Sequence, residues 1–127
     1  MNPKGEIDML NSVILIGRLA HDIKLRQIME GKQVTTMTLA VMRPFKNYDG
    51  QYDTDFIKVS LWDTIAKQAQ EYLSKGQLVA VHGRLQVNQM PYGEEKKLNM
   101  IELIGEKLIF LSPREIKEDG DNETLDI

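Results

Sequence analysis

The sequence predicts an all-β domain carrying one helix, with five antiparallel strands that must close on themselves or cover their edges. Three observations lead there. Five segments read as strands, three by alternating hydrophobicity and two as apolar stretches, and one stretch between the third and fourth of them repeats its apolar residues at helical spacing. Glycine, proline and an Asp-Gly pair punctuate the gaps.

Taken in order, Met1 to Asp8, with Pro3 and Gly5, reads as a short disordered lead, and Met9 is a plausible alternative start. Asn11 to Leu19 is an apolar run broken by Gly17 and Arg18, the first strand. A polar stretch ending at Gly31 and Lys32 leads to the second strand, Gln33 to Arg43, with Met37, Leu39 and Val41 on one side and Thr36, Thr38 and Ala40 on the other. Pro44 is expected to stop it, and Asn47, Tyr48, Asp49 and Gly50 supply hairpin-turn chemistry. The third strand runs from Asp55 to Trp62. Asp63 or Thr64 can cap a helix whose apolar positions are Ile65, Ala66, Ala69, Tyr72 and Leu73, and Gly76 is placed to end it. Gln77 to Val87 is the fourth strand, Asn88 to Lys97 a hairpin loop, and Leu98 to Leu111 the fifth strand, with a bulge expected at Gly105. Tyr72 is expected in the core, and Phe110 in the core or at a subunit contact. The folded domain is thus residues 9–112, and an acidic tail, 113–127, is expected to be disordered.

Three strands, one helix and two strands is the arrangement of the oligonucleotide/oligosaccharide-binding (OB) barrel, whose ligand face lies on the second and third strands. The third strand here has two distinct faces. Ile57, Val59 and Leu61 point one way and Phe56, Lys58, Ser60 and Trp62 the other. The second face carries a ring at each end, roughly 20 Å apart, with a cation and a hydroxyl between. Open rings interleaved with positive charge suit the stacking of unpaired bases along a phosphate backbone; the alternative is a second layer that buries both.

Composition limits the reading without deciding it. With 127 residues the chain fits one domain, and it contains no cysteine, which excludes disulfides and cysteine-ligated zinc and fits a reducing, cytoplasmic setting. The net charge of −3 is unevenly spread: residues 113–127 hold six acids against Arg114 and Lys117, so the rest of the chain carries 14 basic and 13 acidic side chains. A neutral body must bind any polyanion through the placement of its cations and through stacking. No residues form a nucleophile elbow, a phosphate loop or a histidine pair at metal-binding spacing, so neither catalysis nor a cofactor is expected. Arg18 and Arg84, in otherwise apolar strands, must face solvent, an acidic partner or phosphate.

Met9, Leu10 and Asn11, Val13 to Leu19, Thr38 to Val41, Asp55 to Ile57 leading to Trp62, Tyr72, Leu73, Lys75 and Gly76, then Gly83, Arg84 and Leu85 together resemble the bacterial-type single-stranded DNA-binding proteins. The resemblance covers about Met9 to Pro113. It implies base stacking on Phe45, Phe56 and Trp62, and cationic contacts from Arg18, Lys58 and Arg84; Lys46 beside Phe45, and Gln86, Met90, Tyr92 and Lys96 of the hairpin, are further candidates for the interface by position. It also implies a homotetramer that coats single-stranded DNA in replication, recombination and repair. The rival readings are a related barrel kept for assembly, such as a primosome accessory or a phage or plasmid paralogue, and a protein-interaction barrel using the same aromatic face. Three departures stand out, the first being Gln27 where an aromatic is frequent in the family. The hairpin formed by the fourth and fifth strands has Gln86, Asn88, Gln89 and Met90 where the family often has basic and aromatic residues. The tail, with Asp119, Asp121, Glu123 and Asp126 around the hydrophobes Leu125 and Ile127, ends without the usual Pro-Phe tip through which replication and repair enzymes are recruited.

Overall fold

The computed structural model describes residues 9–29, 31–91 and 93–113. It contains β1 (Val13–Leu19), β2 (Arg26–Met29), β3 (Lys32–Lys46), β4 (Tyr52–Trp62), α1 (Asp63–Tyr72), β5 (Leu78–Pro91) and β6 (Lys97–Phe110). The sheet order is β1-β5-β6-β4-β3-β2, and β1 also pairs with β3, so β1, β5, β6, β4 and β3 close a ring. One short strand accomplishes the closure: Val13 to Arg18 pairs with β5, while Arg18 and Leu19 meet Ala40 and Leu39 of β3. Ring closure leaves few free edges. The β4–β6 contact is parallel, at Ser60 and Ile104, and the other pairings are antiparallel.

The five expected strands are β1, β3, β4, β5 and β6, and α1 lies between the third and fourth of them as the pattern required. The four-residue β2 is additional; it folds back on β3 with an irregular register between Gln27 and Met29. So short a segment shows no usable alternation.

Alternation places the core. Leu19, Met37, Leu39, Val59, Leu61, Val79 and Val81 are fully buried, and Ala66 and Ala69 of α1 and Leu73 at its C-cap join the same cluster. Each large side chain so buried stabilises the fold by about 1.5–3 kcal/mol. The buried hydroxyl of Thr35 donates to the Lys24 carbonyl at 2.7 Å, which removes its desolvation penalty.

Four local expectations are corrected. β3 continues through Pro44 to Lys46, because the register slips between Met42 and Lys46 and the missing N–H falls where no ladder bond is needed. The residue at the N-cap of α1 is Trp62, without a side-chain cap, since the Asp63 carboxylate instead accepts the Gln33 N–H at 3.0 Å. The helix closes at Tyr72, ahead of Gly76, which sits in the turn into β5 and donates its N–H to the Leu19 carbonyl. Tyr72 is only partly covered, its ring set edge-on against half-exposed Phe110 at 5.8 Å.

The expected bulge is present. Gly83 faces Gly105 while His82 faces Lys107, so Glu106 is the extra residue. Glycine is required on both sides: a Cβ on Gly105 would lie 2.5 Å from Leu61 Cδ2 in the core, and one on Gly83 would run into the Ile104 carbonyl. Beyond this point β5 and β6 leave the barrel as a two-stranded arm. Leu85, Val87 and Ile101 keep the inward register there but are exposed. Asn11 steadies the arm's base by accepting the Leu85 N–H and donating to its carbonyl.

Candidate nucleic-acid interface

The outward face of β3 and β4 is built in rows, because residues paired across antiparallel strands point to the same side. From one end these rows are Met42 with Thr54, Ala40 with Phe56, Thr38 with Lys58, Thr36 with Ser60 and Val34 with Trp62. The neighbouring strands extend two of them: Arg18 of β1 pairs with Ala40, and Arg26 of β2 pairs with Val34. Each ring therefore has an arginine two strands away, about 10 Å at the usual strand spacing. Between the two aromatic rows the floor is alanine, threonine and serine, low enough for a ligand to lie across, with Lys58 the one long side chain. Phe56 is 66% exposed and Trp62 37%, while Val59 and Leu61 of the same strand are fully buried. The aromatic face is open and the aliphatic face is the core.

The β3–β4 hairpin continues this surface. Phe45 is 60% exposed, the Lys46 ammonium lies 5.9 Å from the Tyr52 ring centre, and Tyr48 at the tip is fully exposed. The Asn47 side chain fixes the turn by accepting the N–H groups of Asp49 and Gln51 and donating to Asp53 Oδ1 at 3.1 Å. Arg43 forks onto Asp55, Nη2 to Oδ1 at 2.9 Å and Nε to Oδ2 at 3.0 Å. These bonds hold the Asp55 carboxyl below the usual aspartate range and raise the guanidinium.

On the other side of Trp62 lies a groove of about 590 Å³ lined by Trp62, Ile65, Arg84, Gln86, Glu102, Ile104, Gly105 and Glu106. Arg84 is not a free cation. Its Nε donates to Glu106 Oε2 at 3.1 Å and its Nη1 to Gln86 Oε1 at 2.8 Å. The chain continues from Gln86 Nε2 to Asn88 Oδ1, and from Asn88 Nδ2 to Glu102 Oε1.

The residues read from the sequence fall into two groups. Phe45, Lys46, Phe56, Lys58, Trp62 and Arg18 share the barrel face and its hairpin, Arg18 donating Nη1 to the Gly76 carbonyl at 3.0 Å. Arg84, Gln86, exposed Met90 and exposed Lys96 lie along the arm. Tyr92 and the tail residues Asp119, Asp121, Glu123, Leu125, Asp126 and Ile127 lie outside the described residues. Sequence reading missed Lys24 and Arg26, which with His21, Asp22, Thr35 and Thr36 line a second groove that opens at the Thr36 row. It also missed Tyr48 and Tyr52. The alternation Lys24-Leu25-Arg26 was the available signal, but it gains meaning only once β2 is seen to pair with β3.

A closed five-strand ring with a helix between its third and fourth strands, carrying open rings and cations on the second and third, is an OB barrel with an interface shaped for a flexible polyanion. The family model described as the single-strand binding protein family matches residues 10–111. The single-stranded DNA-binding protein of Halalkalibacterium halodurans is 39% identical over 112 residues, 88% of this chain and 67% of that one. That of Bacillus cereus is 42% identical over 106 residues, 84% of this chain and 62% of that protein. The chain thus spans about two thirds of the length of these curated relatives. Among solved structures, a chain of the Plasmodium falciparum SSB complex with ssDNA is 25% identical and superposes with a TM-score of 0.68, over 84% of this chain and 99% of that one. The chain belongs to the single-strand binding protein family.

Proposed function

We propose that this chain binds single-stranded DNA without reading its sequence as a whole, coating and protecting exposed strands during replication, recombination and repair. The observation that carries the reading is the pair of open rings, Phe56 and Trp62, each in register with an arginine and separated by a floor of small side chains. Bases stack on the rings of this face and of Phe45, while Lys58, Lys46, Arg18 and Arg26 meet the backbone. Every base has a flat face, so stacking is tolerant of sequence, and a duplex hides those faces, so the preference is for strandedness. Phosphate contacts release counterions and make the affinity fall with salt. The action is binding, with no turnover.

The assembly proposed is a homotetramer of residues 9–112, supported by an apolar row on the barrel's outside. Ile14 and Ile16 of β1 are 69% and 54% exposed, and Ile16 lies in register with Ala80 and, through it, with half-exposed Ile109. An exposed apolar patch of this kind marks an association surface. The acidic tail, with Leu125 and Ile127 near its end, is proposed to recruit replication and repair proteins. The setting is the cytoplasm, at the nucleoid; among the described residues no helix is long and apolar enough to cross a membrane.

The test is titration of Trp62 fluorescence, the chain's single tryptophan, with oligo-dT and with duplex DNA at two salt concentrations. Quenching by the single strand that weakens with salt and is small with duplex supports the reading. No quenching by oligo-dT at low salt defeats it.

A further inference from the structure

The groove between Trp62 and the base of the arm has the wrong charge for a phosphate track. Two carboxylates, Glu102 and Glu106, line it against one guanidinium, and that guanidinium is already bonded to Glu106 at 3.1 Å. Its Ile65 and Ile104 walls are apolar, and one side is the Trp62 ring. Such a cavity repels a phosphate and accepts a flat, uncharged group that offers N–H donors.

The acceptors are oriented. The bond chain Arg84 to Gln86 to Asn88 to Glu102 runs in one direction and uses Oε1 of Glu102, while Arg84 uses Oε2 of Glu106. Oε2 of Glu102 and Oε1 of Glu106 are left without a hydrogen bond among the described residues. We propose that this groove is a base-edge pocket, in which a nucleobase stacked on Trp62 presents its N–H edge to these carboxylates, so that guanine is preferred over thymine at this one position. Guanine offers N1–H and the exocyclic amine side by side, a pair that one carboxylate can accept together, the oxygen already bonded keeping a second lone pair; thymine offers a single N–H flanked by two carbonyls that the carboxylates repel. The backbone then runs along the β2, β3 and β4 side, where Arg26 and Lys58 lie, and the base turns into the groove. This inference rests on the reading that single-strand bases stack on Trp62, and adds a local preference to a binder that is otherwise sequence-tolerant.

The experiment uses the full chain and three oligonucleotides of about 12 residues, within the span one such fold covers. One is all dT, one has a single central dG, and one has a single central deoxyinosine. Inosine is a purine that keeps N1–H and lacks the amine, so it separates edge recognition from the stronger stacking of any purine. The dG oligonucleotide is expected to bind roughly tenfold tighter than all dT, with inosine losing most of that gain. In Glu102→Gln with Glu106→Gln the preference for dG over inosine is expected to vanish while all-dT affinity is retained or rises. Equal affinity for dG and inosine in the wild type, or a preference that persists in the double variant, overturns the inference and leaves the proposed function standing. Failure to bind any of the three overturns both.

Discussion

Replacing Phe56 and Trp62 by alanine, singly and together, tests the physical argument most directly. For single-strand binders in general, one aromatic platform contributes about 1–3 kcal/mol per stacked base, which is roughly a 5- to 150-fold change in affinity. The two positions differ in what else they do. Phe56 is 66% exposed and its row partners are Ala40 and Arg18, so its removal should leave stability within about 0.5 kcal/mol of wild type. Trp62 is 37% exposed and shares its row with buried Val34, so Trp62→Ala carries a packing cost as well as a binding cost. Six residues of strand put the platforms roughly 20 Å apart, beyond the range at which neighbouring sites couple. A strand long enough to touch both should therefore lose the product of the two single-site factors in the double variant. Fluorescence polarisation of a labelled oligo-dT at fixed salt measures this, with urea melts to show that each variant is folded. Folded Phe56→Ala binding within twofold of wild type, or a double variant no weaker than the worse single one, would refute the reasoning.

Other consequences follow from the same geometry. Each lysine or arginine that meets a phosphate contributes about −0.7 to the slope of log affinity against log salt, so Lys58→Ala and Arg26→Ala should each flatten that slope by about this amount, whereas Arg84→Ala, its charge already matched by Glu106, should leave it nearly unchanged. Gly105→Ala forces a methyl group toward Leu61 and Val59 in the core and should lower stability in urea by about 1–3 kcal/mol, against little effect for Ala40→Ser on the open face. The Asp55 carboxyl has a folded-state pKa held below its unfolded value of about 4 by Arg43, so its contribution is present above that pH and is lost as pH falls through the folded value. Wild type should therefore melt above Asp55→Asn at neutral pH, with the gap closing as pH falls below the usual aspartate range; a constant gap would mean that Arg43 does not set the titration. Ile16→Glu should shift the mass seen by light scattering toward smaller species if the outward row of β1 is an association surface.

Alternation along Asp55 to Trp62 was enough to separate the core face from the aromatic one, because a strand has only two sides and one of them must be buried. Apolar runs, helical spacing and turn residues located the other four ring strands and the helix between the third and fourth, and the glycine at 105 located the bulge. Such patterns failed where a segment was too short to show a period, as in β2, and where a local rule competed with tertiary partners. Asp63 is a fitting cap by residue type, yet its carboxylate is taken by the Gln33 N–H of a neighbouring strand. Pro44 is a fitting stop, yet it falls at a slip in register where the strand can continue.

For the interface, residue type and strand parity alone determined that rings and cations alternate along one side of a strand, and hence that Phe56, Lys58 and Trp62 share a face. Which cations stand beside which ring depended on pairing across strands that are distant in sequence: Arg18 reaches the Phe56 row only because β1 crosses from β5 to β3, and Arg26 the Trp62 row only because β2 folds back. The state of Arg84 was likewise invisible in one dimension. An arginine in an apolar strand must find a counter-charge, but only the bulge that turns Glu106 outward puts a carboxylate within 3.1 Å and makes the groove beside Trp62 acidic. Periodicity records which side a residue faces, whereas electrostatics depends on distance, and distances between strands are set when the ring closes.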